Sequence, residues 1–315
     1  MNDAEHELEK GSGNGILWAS AIVAVGMVLS AVAYAFVVRS SEEKSAESSA
    51  AVSSTPAPAL ASLQEEVTPA EGVTLPVAWG NLGQQLTAAG VIDEAQFKAL
   101  YARQGGLPQD MAQMLDGSNN VQIKMTPQNA GIILNMLWAL GLGNRNPILM
   151  NGPMENPQYG GAGNFASTGG WTLAAGNAMN HYDMHQFVAL TAAQQSLVEQ
   201  VAQGIYRPCC GNSAYFPDCN HGMAMLGLLE LMASQGATAD QMYKAALTVN
   251  SYWFPDTYMT LAEYFAGKGT AWSAVDPKTV LGAAYSSAQG YQQILSEETQ
   301  PPSGQPSGGG SCSTS

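Results

Sequence analysis

The sequence predicts an all-α protein with a single N-terminal transmembrane helix, a disordered linker and a multi-helix globular domain carrying a long irregular loop. Three observations predict it. Residues 16–38 run without one charged side chain. A Ser/Ala/Pro/Glu segment follows, too poor in apolar residues to bury a core. From about residue 73 apolar side chains recur at helical spacing between Pro, Thr and Asp residues suited to helix starts, and strand-like alternation is nearly absent.

Residues 1–15 read as an acidic tail with Lys10 as its only basic residue. At about 1.5 Å per residue, the run 16–38 is long enough to cross a hydrocarbon core of about 30 Å, and it makes the membrane a partner. Ala31-Val32-Ala33 and Ala33-Tyr34-Ala35 fit a small-residue cleavage site. The acidic flank and the length of the run favour an anchor over a cleaved signal. Residues 39–72 read as a stalk, which argues for a large domain outside the cytoplasm, although Arg39 and Lys44 against Lys10 nominally favour the reverse.

The domain spans 73–296. Short amphipathic helices are expected at 78–88 and 93–103, and Pro108 suits the first turn of a helix over 110–115. Thr126 and Pro127 open an apolar helix to Leu142. Residues 144–170 are rich in Gly, Asn and Pro, a connection longer than compact domains normally use, and such loops are commonly functional. Thr191 and Gln194 form a capping box for a helix running to Tyr206. Helices follow from near Cys219 to Gly236, over 238–253 and 255–265, and over 277–295. The tail 297–315 is Pro/Gly/Ser-rich and flexible, and it contains Cys312.

The chain has 315 residues and a net charge of -14, so it lacks the basic footprint of a nucleic-acid binder. Three of its four cysteines fall within 206–236, which points to a site rather than a disulfide framework. Cys219 stands where a helix begins. Unpaired backbone N–H groups and the helix dipole favour a thiolate there, fit to bind a soft metal, attack an electrophile or exchange disulfides.

The strongest constellation is a metal set drawn from His181, His185, Cys209, Cys210, Cys219 and His221. Helical i, i+4 spacing would place His181 and His185 on one face, and the cysteines add thiolates. Mixed sulfur and nitrogen donors suit Zn(II) or Cu(I), and Met184, Met223 and Met225 add thioethers that favour copper. Three rival readings stand beside it. Cys219 could be the nucleophile of a hydrolase, with His181 or His185 as base. Cys219 could cycle through a disulfide with Cys209 or Cys210, since adjacent cysteines pair with each other only under strain. The cluster could also staple a structural or interaction domain without chemistry. Asp116 to Ile123 resembles the start of an EF-hand loop. Val121 stands at the turn glycine and Pro127 at the bidentate Glu, so an Asx-rich helix connection is the expectation. Trp171, Tyr252, Trp253 and Phe254 read as core.

Two local resemblances accompany these residues. Phe216-Pro217-Asp218-Cys219-Asn220-His221-Gly222 resembles the Asp-Cys-Ser-Gly start of the catalytic helix in NlpC-type cell-wall peptidases, which implies a nucleophilic role for Cys219. Ile205-Tyr206-Arg207-Pro208-Cys209-Cys210-Gly211, followed by Asp218-Cys219-Asn220-His221 and an apolar helix, resembles the bacterial envelope proteins named for their PCYCGC motif. That likeness implies an envelope-facing domain of metal or thiol chemistry.

Overall fold

Two apolar helices, Ala130–Gly143 and Asn220–Ser234, pack along one another at the centre of the domain. Glycine lets them approach. A Cβ on Gly141 would lie 2.1 Å from the Met223 carbonyl oxygen, and one on Gly227 would lie 2.4 Å from that of Leu137. Both helices are buried almost all round, so their long apolar runs follow from central position rather than amphipathicity. The computed structural model describes residues 57–103, 105–117, 119–169 and 173–299. The expected transmembrane helix, the acidic tail, Trp171 and Cys312 lie outside those residues. Among the described residues no helix is long and apolar enough to cross a membrane.

In chain order the elements are α1 (Ala57–Val67), β1 (Val73–Gly80), α2 (Leu82–Ala88), α3 (Glu94–Ala102), α4 (Gln109–Asp116) and β2 (Asn119–Met125). The central α5 (Ala130–Gly143) follows, then α6 (Pro147–Asn151), α7 (Ala192–Gln203) and the second central helix α8 (Asn220–Ser234). The last are α9 (Ala239–Trp253), α10 (Pro255–Gly267), α11 (Pro277–Val280), α12 (Ala283–Ser286) and α13 (Ala288–Thr299). The domain is helix-rich, as the periodicity predicts.

Several expectations need correction. Residues 57–67, assigned by composition to the linker, form α1. Leu60, Leu63 and Val67 share a face at helical spacing, and Val67 joins the core. The nearly strand-free reading misses an antiparallel pair, β1 with β2. Leu75, Val77 and Trp79 are buried alternately along β1, and Ile123 and Met125 along β2, which is the period of a half-buried strand. Pro76 lacks a ladder donor, and the register slips between Thr74 and Ala78 on either side of it. The helix expected over 78–88 therefore starts at Leu82, and the EF-hand-like segment is largely β2.

The expected helix 277–295 is three short ones, broken by turns at Gly282 and Ser287. The loop 144–170 holds α6 and three 3₁₀ turns. It folds against the cysteine stretch: Tyr159 and Phe165 pack their rings on Phe216, and the Ser167 amide donates to the Asp218 carbonyl at 3.1 Å. Both capping boxes, Thr191 with Gln194 and Thr238 with Gln241, are formed.

Candidate metal centre

The cysteines sit on a closed loop between α7 and α8. Tyr206 and Ser213 form an antiparallel bridge, and the Ala214 amide donates to the Ile205 carbonyl at 2.8 Å. The loop is tied down from outside. Tyr206 donates its amide to Leu281, Asn250 Nδ2 donates to the Tyr206 carbonyl at 3.1 Å, and the Ala288 amide donates to the Cys210 carbonyl at 2.9 Å. Cys209 and Cys210 are thus held on a turn anchored by α9, α11 and α13. Cys219 arrives from the other side as the N-cap of α8, its backbone extended and its sulfur accepting from the Gly222 amide at 3.4 Å.

Two groups of donors meet there and share Cys219. Cys209 Sγ lies 3.4 Å from Cys219 Sγ, Cys210 Sγ lies 4.0 Å from Cys219 Sγ, and Cys209 Sγ lies 3.9 Å from His221 Nδ1. The donor atoms of Cys209, Cys219 and His221 all lie within 4.8 Å of one another, and so do those of Cys210, Asp218 and Cys219. Zn–S bonds near 2.3 Å in a tetrahedron give sulfur–sulfur edges of about 3.8 Å, and replacing one sulfur by imidazole shortens the edge by ~0.2 Å. The two sulfur–sulfur separations bracket that edge, and the sulfur–nitrogen separation of 3.9 Å is about 0.3 Å longer than its own. His221 is fixed by its ring packing, 4.4 Å from the Phe254 centroid and 5.6 Å from that of Trp253.

Beneath the cluster lies Arg207, fully buried. Its Nη1 donates to the Asn212 carbonyl at 2.9 Å, and its Nη2 donates to Asp218 Oδ1 at 2.8 Å and to Cys219 Sγ at 3.3 Å. Asn212 Nδ2 donates to Asp218 Oδ2 at 2.8 Å, so both carboxylate oxygens are engaged. The guanidinium has room because Gly222 has no side chain: a Cβ there would stand 2.5 Å from Nη2. Arg207 takes the ground a second ion would need between Asp218 and Cys219. This selects the group containing His221 over the one containing Asp218.

The proton distribution follows from these contacts. Hydrogen bonds from the Cys209 and Cys210 thiols, aided by His221 and the Arg207 charge, hold the Cys219 thiol far below its ordinary range despite burial. Cys209 is pushed the other way by its hydrogen bonds with Cys210 and Cys219 and by burial. At Cys210 the contact with Cys209 lowers the pKa, but the Cys219 contact and burial outweigh it and carry it up to about 11. Burial disfavours the Arg207 cation, and the Cys219 and Cys210 sulfurs and Asp218 more than restore it.

His181 and His185 come together elsewhere. His181 Nδ1 faces His185 Nε2 at 3.3 Å, and His181 Nε2 lies 3.1 Å from the Ala175 carbonyl oxygen. Among the described residues, neither histidine belongs to a group of converging metal donors. The segment is not the helix their spacing predicts. A 3₁₀ turn, Ala178–Asn180, leads into Asp183 at φ 58, and that left-handed turn brings the rings together. Burial and the neighbouring His181 push His185 below the usual imidazole range. The thioethers also divide: Met223 and Met225 are fully buried in the core of α8, whereas Met184 is 57% exposed. Core packing accounts for Met223 and Met225 without a ligand role.

Sequence reasoning passed over Arg207, Asp218 as its partner, and Gly222. One signal was present: an arginine directly before Pro208-Cys209-Cys210 in a chain with only 11 basic residues. It also passed over a buried polar knot at the end of α5. There Asn144 Oδ1 accepts from the Phe187 and Val188 amides, Asn146 accepts from the Ile148 amide, and Asn146 Nδ2 donates to Glu230 of α8.

No protein-family model matches the chain, and no curated protein or solved structure matches it either.

Proposed function

We propose that this domain binds one soft or borderline transition-metal ion, Zn(II) or Cu(I), through Cys209, Cys219 and His221 with Cys210 as the fourth donor. The observation that carries the reading is the convergence of the Cys209, Cys219 and His221 donor atoms within 4.8 Å of one another. Three sulfurs and an imidazole suit such ions in preference to hard cations. A hydrolase needs one nucleophile and one base, and it gives no reason for three sulfurs to meet. Arg207 fits the metal reading as an outer partner that orients a ligating sulfur and offsets thiolate charge.

Membrane attachment through residues 16–38, with the domain on the extracytoplasmic side, completes the proposal. It accords with the resemblance to the PCYCGC envelope proteins. The role that follows is metal handling or sensing at the envelope.

Cobalt substitution tests the ligand set. Co(II) added to the reduced full chain is expected to give intense sulfur-to-metal charge-transfer absorption that saturates at one equivalent. Cys219→Ser is expected to weaken it strongly, and His221→Ala to change the visible ligand-field bands. Visible bands without sulfur charge transfer would refute thiolate ligation.

A further inference from the structure

Cys209 is exposed, whereas Cys210 and Cys219 are only partly so. Its sulfur lies 3.4 Å from Cys219 Sγ, nearer than the 4.0 Å that separates Cys210 from the same atom. Cys219 is also the sulfur toward which Arg207 Nη2 and the Gly222 amide direct their hydrogens. One cysteine therefore faces solvent, and a second sulfur, held in place by two N–H donors, lies directly behind it. Pairing of the adjacent Cys209 and Cys210 is opposed by backbone strain.

We infer that Cys209 is a thiol–disulfide exchange site for small disulfides, resolved by Cys219, and that closure of the Cys209–Cys219 bond expels the metal ion. In the first step the Cys209 thiolate, one of the ligands proposed above, attacks one sulfur of a low-molecular-weight disulfide R–S–S–R, so that a Cys209–S–S–R bond forms as the R–S–S–R bond breaks and one RS⁻ leaves. In the second step the Cys219 thiolate attacks Cys209 Sγ and expels RS⁻. Two protein sulfurs have lost two electrons, and one small disulfide has gained them.

The consequence for the metal rests on the ligand set proposed above. Sulfurs joined to each other no longer serve as thiolate donors, so Cys210 and His221 alone remain, too few to retain the ion. Cys210 stays reduced, 3.7 Å from Asp218 Oδ1. The site then senses the thiol–disulfide balance of its compartment and converts it into metal release.

The test uses the full chain loaded with Zn(II), oxidised glutathione as the probe disulfide, a chromophoric zinc chelator, and peptide mapping after alkylation. The expected result is a Cys209–Cys219 cross-link, an alkylated Cys210, and one zinc ion released per cross-link. Cys219→Ser is expected to lose the cross-link and accumulate glutathione on Cys209, while Cys210→Ser keeps the cross-link. A Cys210–Cys219 cross-link, glutathione persisting on Cys209 in the unaltered chain, or three thiols left unreacted would each overturn the inference. Because mapping of the unaltered chain already decides the pairing, a variant that fails to fold does not remove the test. If the Cys209–Cys219 bond forms but the starting protein held no zinc, the ligand reading fails while the exchange chemistry stands.

Discussion

Arg207 Nη2 is shared between Asp218 Oδ1 at 2.8 Å and Cys219 Sγ at 3.3 Å, so a single buried cation fixes both the residue before α8 and the sulfur that caps it. Truncating it leaves a carboxylate and a thiolate without their countercharge. Breaking one side of a buried ion pair typically costs about 3–5 kcal/mol. Arg207→Met is expected to lose stability on that scale in denaturant unfolding, and the Cys219 thiol is expected to titrate closer to the ordinary range. Arg207→Lys keeps the charge but not the fork, and should fall between the two.

Gly222→Ala tests the same arrangement from the other side. The new methyl would occupy space 2.5 Å from Nη2 and must push the guanidinium off Cys219. A disturbed outer partner costs about 10- to 100-fold in metal affinity. Competition against a chelator of known affinity is expected to show a loss in that range. Unchanged affinity would detach Arg207 from the site.

Met223→Leu and Met225→Leu separate core from ligand. Both side chains are fully buried within α8, and volume-conserving core swaps usually cost less than about 1.5 kcal/mol. Metal stoichiometry and affinity are expected to stay as they are. A drop in Cu(I) affinity would return thioether ligation to the account.

Glu230 predicts the pH dependence of the fold. It is wholly buried, and that burial raises its pKa well above 4.5 even though amide donors from Asn146 and Asn144 pull it down. The folded state therefore holds a proton that the unfolded chain releases. Its contribution is fully present below pH 4.5 and is lost as pH climbs toward the folded pKa, by at most about 1.4 kcal/mol per pH unit. Unfolding free energies measured from pH 4 to 8 are expected to show a falling slope that Glu230→Gln flattens. A difference between the two proteins that does not change with pH would show that Glu230 is ionised in the fold.

Much of this architecture is legible in the letters, because it rests on local signals. Thr191 with Gln194 and Thr238 with Gln241 announce two helix starts through side chains three residues apart. The apolar run after Cys219 announces the central helix. The Cys/His clustering in sequence becomes clustering in space for Cys209, Cys210, Cys219 and His221, because a bridged loop and a helix cap need only a short span. What stayed hidden depends on distant partners. The alternation in β1 is short and interrupted by Pro76, and only pairing with β2 makes it a strand. His181 and His185 read as a helical pair reaching toward the cysteines. A left-handed turn at Asp183 and a backbone bridge from Asn144 to His185 set them against each other instead. Arg207 was obscure because its role exists only once Gly222 and Asp218 are brought over it.

The central claim is tested most directly by the metal content of the full chain purified under mild reduction, with free thiols counted before and after chelation. The account predicts one zinc or copper ion per chain, and reactivity of Cys210 and Cys219 toward an alkylating agent that appears only when the ion is removed. Protein without zinc or copper, whose three thiols react at once and which takes up neither ion when supplied, would contradict it.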